Sequence, residues 1–182
     1  MAERSGVTRR AVLFLAAGAI ASAAACPASA AYRPLAVRTV ALDNLHTGER
    51  VKTAFWENGR YLPEALREID WVLRDHRTDE VRAIDPDLLD LLWHLQQKLR
   101  ARDAFQVISG YRSPATNAML AATTDGVAQN SLHTRGMAID IRVPGRSLVK
   151  VHRAALDLGL GGVGYYPRSD FVHVDVGRVR RW

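Results

Sequence analysis

Two short segments of the chain bring together residue types that do chemistry. The first is Ser131-Leu132-His133-Thr134-Arg135-Gly136-Met137-Ala138-Ile139-Asp140. Residues 137–143 read as a strand, in which side chains alternate between faces. Met137, Ile139 and Ile141 then form one apolar face, and Ala138, Asp140 and Arg142 the other. A carboxylate in the middle of so apolar a strand needs a partner, because burying an unpaired charge is costly. His133, in the loop just before, can fold back onto it, and Gly136 and Ala138 leave room. The second segment is Asp170-Phe171-Val172-His173-Val174-Asp175-Val176, with the valines on one face and Phe171, His173 and Asp175 on the other.

Two imidazoles and one carboxylate, His133, His173 and Asp140, make a three-ligand zinc set that leaves a fourth position open. A metal held in this way activates water and polarises a carbonyl. A neighbouring carboxylate would take the proton, and Asp170 and Asp175 are the candidates. Each piece on its own also fits a core histidine hydrogen-bonded to an acid. Arg112 is a third candidate. It lies between a strand, Phe105 to Ser109, and a helix opened by Ser113-Pro114, and binding residues concentrate in such loops. Its guanidinium can grip a carboxylate through two bonds at once; on its residues alone it fits better a surface arginine paired with an acid at the helix start.

The elements that must position these residues can be traced along the chain. Val37 to Trp56 reads as a hairpin around His46-Thr47-Gly48-Glu49, with Val40, Leu42 and Val51 alternating. Asn58-Gly59 is a second turn. Leu66, Ile69, Val72 and Leu73 recur at helical spacing from Pro63 to about Asp75. Asp85-Pro86 starts a helix running to about Arg100, with Leu88, Leu92, Leu95 and Leu99 inward. The next helix runs from Ser113 to about Thr123. After the strand at 137–143 come a helix from Ser147 to Leu158, a strand from Gly162 to Tyr166 and a last strand from Phe171 to Val176. Helices mixed with short antiparallel strands give an α+β domain, with the helices packed on one face of a small sheet. His46, His76, His94 and His152 lack ligand-like spacing. Trp56, Trp71, Trp93 and Trp182 read as packing residues, and Tyr165-Tyr166 as packing or as groove lining.

The first thirty residues belong to a different regime. Arg4 and the pair Arg9–Arg10 precede an apolar, Ala-rich run from Ala11 to Ala25, and Ala28-Ser29-Ala30 follows with small residues. A charged start, a short apolar middle and a small-residue exit describe a secretory signal. The run falls short of the roughly 20 residues needed to cross a bilayer. Thr8-Arg9-Arg10-Ala11-Val12-Leu13 resembles a twin-arginine export signal. The expected organisation is therefore a signal at 1–30, a domain at 31–182, an exported, periplasmic or cell-envelope location and no transmembrane segment in the mature chain. Cys26, the one cysteine of the 182 residues, falls inside the signal, so the domain has no thiol chemistry and no disulfide. A lipidated Cys26 is the alternative. The signal holds three of the 25 Lys+Arg and one of the 19 Asp+Glu, which leaves 22 against 18 and a net charge of +4. That mild excess suits an anionic cell wall. No basic run interleaved with aromatics points to nucleic acid.

The segment Ser131-x-His133-x-x-Gly136-x-Ala138-x-Asp140 resembles the zinc motif of the D-Ala-D-Ala metallopeptidases, which share a fold with lysostaphin and the hedgehog signalling domain. Asp170-x-x-His173 is similar to their later base-and-ligand pair, and Ser109-Gly110-Tyr111-Arg112-Ser113 to their substrate-binding segment. Asn44-Leu45-His46-Thr47-Gly48-Glu49, Val107 to Ser113 and the tail from Gly164-Tyr165-Tyr166-Pro167 through Gly177-Arg178-Val179 resemble the murein endopeptidase K branch. The likeness spans about residues 38 to 182. It implies one zinc ion per chain on His133, Asp140 and His173, with Asp170 as general base, Arg112 as substrate clamp and Tyr111 and Ser131 as further substrate-binding residues. Asp175 stays as an alternative base or as a residue orienting a ligand. The implied function is hydrolysis of peptide cross-links in peptidoglycan, acting on its stem peptides. The alternatives are a D,D-carboxypeptidase or dipeptidase and a non-catalytic, zinc-stabilised binding module. The chain departs from the pattern at Asp170, one methylene shorter than the usual Glu.

Overall fold

Asn44 closes the first hairpin because its short amide reaches its own backbone. Its Oδ1 accepts from the N–H groups of His46 and Thr47 at 3.0 and 3.3 Å. Gly48, at φ +74°, completes the turn. The flanking strands are β1 (Val37–Asn44) and β2 (Arg50–Glu57), and the Asn58-Gly59 turn leads to β3 (Arg60–Tyr61). The computed structural model describes residues 36–123 and 128–182, and Met1. The expected signal, with Arg9, Arg10, Ala28 to Ala30 and Cys26, lies outside the described residues, as does Ala31.

Helix α1 (Pro63–Val72) starts on its proline and ends three residues earlier than the periodicity suggests. The cause is Asp75, which leaves the helix to accept hydrogen bonds from the backbone N–H groups of Arg77 and Ser113 at 2.9 and 2.8 Å. Helix α2 (Pro86–Leu99) is capped by Asp85, whose side chain accepts from the Asp87 N–H. Then follow β4 (Phe105–Ser109), α3 (Pro114–Thr123), a 3-10 turn (Leu132–Arg135), β5 (Ala138–Arg142), α4 (Leu148–Leu158), β6 (Gly162–Tyr166) and β7 (Phe171–Asp175). A further short strand, β8 (Arg180–Arg181), was not expected from the sequence.

The eight strands of the described residues form one sheet in the order β3-β2-β1-β4-β5-β7-β6-β8. Two pairings are parallel rather than antiparallel, β1 with β4 and β6 with β8. For β1 and β4 the reason is the connection, since α1 and α2 carry the chain back across the sheet before β4. One face of the sheet is apolar, with Leu42, Phe105, Ile139, Ile141, Val172 and Val174 all at 0–1% exposure. Helices α1, α2 and α4 cover it with residues such as Ile69, Leu92 and Val151. The architecture is the expected α+β one, and helix α3 contributes to it differently from the other helices. Its buried residues are the polar Thr116 and Asn117, and it supplies no described residue to the apolar core.

Candidate metal centre

The opposite face of β5 and β7 holds the ionisable groups. The strands pair antiparallel with Asp140 directly across from His173. His133 arrives from the 3-10 turn. Ser131 caps that turn, its Oγ accepting from the His133 N–H at 3.3 Å. Gly136 ends it at φ +69°. A Cβ at Gly136 would lie 2.4 Å from the Ala83 carbonyl oxygen, so only glycine fits there.

His133, Asp140 and His173 are 3%, 6% and 8% exposed, and one ligand atom from each lies within 4.8 Å of the others. His133 Nδ1 sits 2.7 Å from the Gly110 carbonyl oxygen, an acceptor only, so Nδ1 carries the proton and Nε2 is a lone pair. His173 Nε2 sits 3.0 Å from Asp175 Oδ2, which fixes its proton there and leaves Nδ1 as a lone pair. These two lone-pair nitrogens face each other at 3.2 Å, and Asp140 Oδ1 is 2.9 Å from His173 Nδ1. Three electron-pair donors thus point at one spot. A shared metal cation satisfies all three at once; otherwise a proton must. Burial pushes the Asp140 carboxyl up, but the two imidazoles beside it more than reverse this and hold it below the usual carboxylate range. Burial lowers His173, and its bonds to Asp140 and Asp175 outweigh that and raise it.

Asp175 is fully buried and fully engaged. Its Oδ2 accepts from Arg180 as well as His173, and its Oδ1 accepts from the N–H groups of Gly162 and Gly177 and from Arg180. Burial opposes its ionisation, and these donors overcome the effect and lower its pKa. With both oxygens occupied, it has no lone pair to offer a water.

A cavity of about 390 Å³ opens over these three residues. Arg112 reaches it from the β4–α3 loop, its Nη2 3.9 Å from Asp140 Oδ2. Among the described residues its guanidinium makes only long hydrogen bonds, 3.3 Å to Asn117 and 3.4 Å to Ser109, and its buried Nε has no partner. Burial lowers its pKa, an effect that Asp140 opposes. Ser131 also lines the cavity. Two expected residues do not. Tyr111 is 3% exposed and donates its hydroxyl to Glu80 at 2.6 Å. Asp170 sits in the turn before β7 at φ +53°. Its carboxylate is exposed and lies 3.0 Å from Arg142 Nε, outside the cavity lining.

Two residues at the site were not expected from the sequence: Arg180, which clamps Asp175, and Trp182, whose ring lies 5.2 Å from that of His173. Alternation along β8 carries no signal in a two-residue strand. A basic and an aromatic residue just after the metal segment were the one available clue.

Residues 33–182 match the family model described as Peptidoglycan L,D-endopeptidase MepK. The chain is 44% identical over 171 residues to the peptidoglycan L,D-endopeptidase MepK of Escherichia coli (strain K12), covering 92% of this chain and 94% of that one. It is 44% identical over 146 residues to the probable peptidoglycan L,D-endopeptidase MepK of Haemophilus influenzae, covering 80% and 78%. No solved structure matches.

Proposed function

The chain belongs to the peptidoglycan L,D-endopeptidase MepK family, and from that premise we propose that it is a zinc endopeptidase that hydrolyses peptide cross-links of peptidoglycan. The observation that carries this reading is the convergence of two imidazole nitrogens and one carboxylate: His133 Nε2 and His173 Nδ1 are 3.2 Å apart, Asp140 Oδ1 is 2.9 Å from His173 Nδ1, and Asp140 Oδ2 is 3.4 Å from His133 Nε2. Zinc–ligand bonds of about 2.0–2.1 Å in a tetrahedron put ligands about 3.3 Å apart, so the set fits zinc. Zinc bound there supplies Lewis acidity and an activated water.

The chain's own residues supply the rest. Arg112, buried and short of acceptors, binds a substrate carboxylate, a group in which stem peptides are rich. The cavity falls in the roughly 300–1,000 Å³ range of ligand sites, and Ser131 on its wall offers a hydroxyl. Hydrolysis requires that a water oxygen bond to the carbonyl carbon, that its proton be taken, and that the C–N bond break with a proton delivered to the amine. Asp170 is the proposed proton carrier. It must turn from Arg142 toward the cavity, and the positive-φ turn that bears it is the hinge. The saturated carboxylate of Asp175 supports a different role, holding His173 in the tautomer that keeps Nδ1 free. The relatives are L,D-endopeptidases by name, which favours a bond between an L- and a D-configured centre. Residues 1–30 are proposed to export the domain by the twin-arginine route; replacing Arg9 and Arg10 by lysine should leave precursor in the cytoplasm, and normal processing would contradict the route.

The test is digestion of purified sacculi with identification of the released muropeptides by mass spectrometry. Wild-type protein should release cross-link cleavage products. Asp170→Asn should keep its zinc and lose about 10²–10⁴-fold in rate, the usual contribution of a general base. No product from zinc-loaded wild type would overturn the reading.

A further inference from the structure

The registry of β6 against β7 places Gly164 opposite His173 and Tyr166 opposite Phe171. Directly opposed residues share a face, so Tyr166 stands on the metal-ligand face, diagonal to His173 at roughly 7–8 Å between backbones. Its ring stacks on Phe171 with centroids 4.6 Å apart. Its oxygen accepts the indole N–H of Trp182 at 2.7 Å. A Cβ at Gly164 would lie 2.8 Å from atoms of both rings, so the missing side chain is what lets them meet. Tyr166, Phe171, His173 and Trp182 all line the cavity.

A phenol has one hydrogen to give as well as oxygen lone pairs. Trp182 occupies the oxygen, and the hydrogen has no protein acceptor among the described residues. The result is a neutral donor on the cavity wall, fixed by two ring contacts before any substrate arrives. An N–H donated to a hydroxyl strengthens that hydroxyl as a donor in turn.

We propose that the Tyr166 hydroxyl is a catalytic hydrogen-bond donor to the scissile carbonyl oxygen, with Trp182 as its positioning residue. The inference rests on the peptidase reading above. As the water oxygen bonds to the carbonyl carbon, the C=O electron pair moves onto oxygen. Tyr166 stabilises that charge without giving up its proton. The C–N bond then breaks, and its electron pair and the proton removed from water end on the amine. A donor in place before reaction acts on the transition state more than on the bound peptide, and so raises kcat rather than lowering KM.

Tyr166→Phe keeps the ring and its stack. It should lower kcat by about 10²–10³-fold, with KM and zinc content unchanged. Trp182→Phe keeps a ring but removes the N–H, and should lower kcat by about 2–10-fold, the worth of one neutral hydrogen bond. Calorimetry supplies a readout independent of turnover. A phosphinate pseudopeptide, which mimics the charged tetrahedral carbon, should bind Tyr166→Phe more weakly by the factor lost in kcat, while the cleavage-product peptide binds as to wild type. Wild-type kcat in Tyr166→Phe would overturn the inference, as would equal weakening for phosphinate and product. A wild-type protein that releases nothing from sacculi overturns the peptidase reading and this inference with it. Wild-type release alongside a fully active Tyr166→Phe overturns the inference alone.

Discussion

Replacing Asp175 by asparagine should loosen the metal without touching any ligand. The substitution keeps the shape and removes the charge. In the native site Oδ2 accepts from His173 Nε2 at 3.0 Å and Arg180 Nη2 at 2.7 Å, and Oδ1 accepts from the N–H groups of Gly162 and Gly177 at 3.0 and 2.8 Å. An amide cannot reproduce this. Whichever way it turns, its NH2 faces N–H donors, either those of His173 and Arg180 or the two backbone groups. If it faces His173, the imidazole is driven toward the tautomer that protonates Nδ1, the ligand atom. Loss of such an orienting partner weakens metal binding by about 10–100-fold, or about 1.4–2.7 kcal/mol. Stranded buried donors should also cost about 1–3 kcal/mol of folding stability. The sign with pH follows from the lowered carboxyl: its stabilisation is present above the ordinary aspartate value of 3.8 and is lost as pH falls through the depressed folded value. The stability gap between wild type and variant should therefore narrow in acid below 3.8. Competition of the metal-free proteins against a chelating dye measures the affinity, and melting with and without zinc measures the stability. An unchanged zinc affinity in Asp175→Asn would show that Asp175 does not orient His173.

Arg112→Lys should raise KM for muropeptides about 10–100-fold, since hydrogen bonds to charged groups are worth about 1.5–3 kcal/mol and lysine cannot make the paired geometry; zinc content should not change, and an unchanged KM would remove Arg112 from substrate binding. Asp75 is buried, yet its bonds to Thr116, Arg77 and Ser113 outweigh the effect of burial and hold its pKa at about 2 against 3.8. Asp75→Asn should thus lose about 2 kcal/mol at neutral pH, with the deficit fading as pH falls from about 4 toward 2; denaturant titrations at both ends check it. Gly136→Ala should destabilise the protein by about 1–3 kcal/mol, from positive φ and the clash with the Ala83 carbonyl; a melting temperature equal to wild type would contradict this.

What the sequence made legible was periodicity. β4, α3 and β6 fall within a residue of expectation, because apolar alternation, Ser113-Pro114 and the Gly162 start are local signals. The facing of Asp140 and His173 was legible for the same reason, since a period of two fixes which side chains share a face. The parallel pairing of β1 with β4 was not, because it is decided by where two helices send the chain. The end of α1 was not, because Asp75 leaves it for a loop 38 residues further on. Tyr111 and Arg112 are neighbours in one motif, yet one is buried against Glu80 and the other opens onto the cavity. No spacing rule separates them. Asp170 lies three residues before His173, a spacing that strict alternation puts on the other face; the positive φ there turns the chain, and its partner Arg142 belongs to another strand.

The central claim is that His133, Asp140 and His173 hold one zinc ion. The most direct measurement is metal content per chain by elemental mass spectrometry after exhaustive dialysis, for wild type, His133→Ala and His173→Ala. Each alanine removes one of three donors converging at 2.9–3.4 Å. Under this assignment wild type should hold one zinc per chain and either variant none, with both variants still folded. One zinc per chain retained in both would show that the ion lies elsewhere and would contradict it.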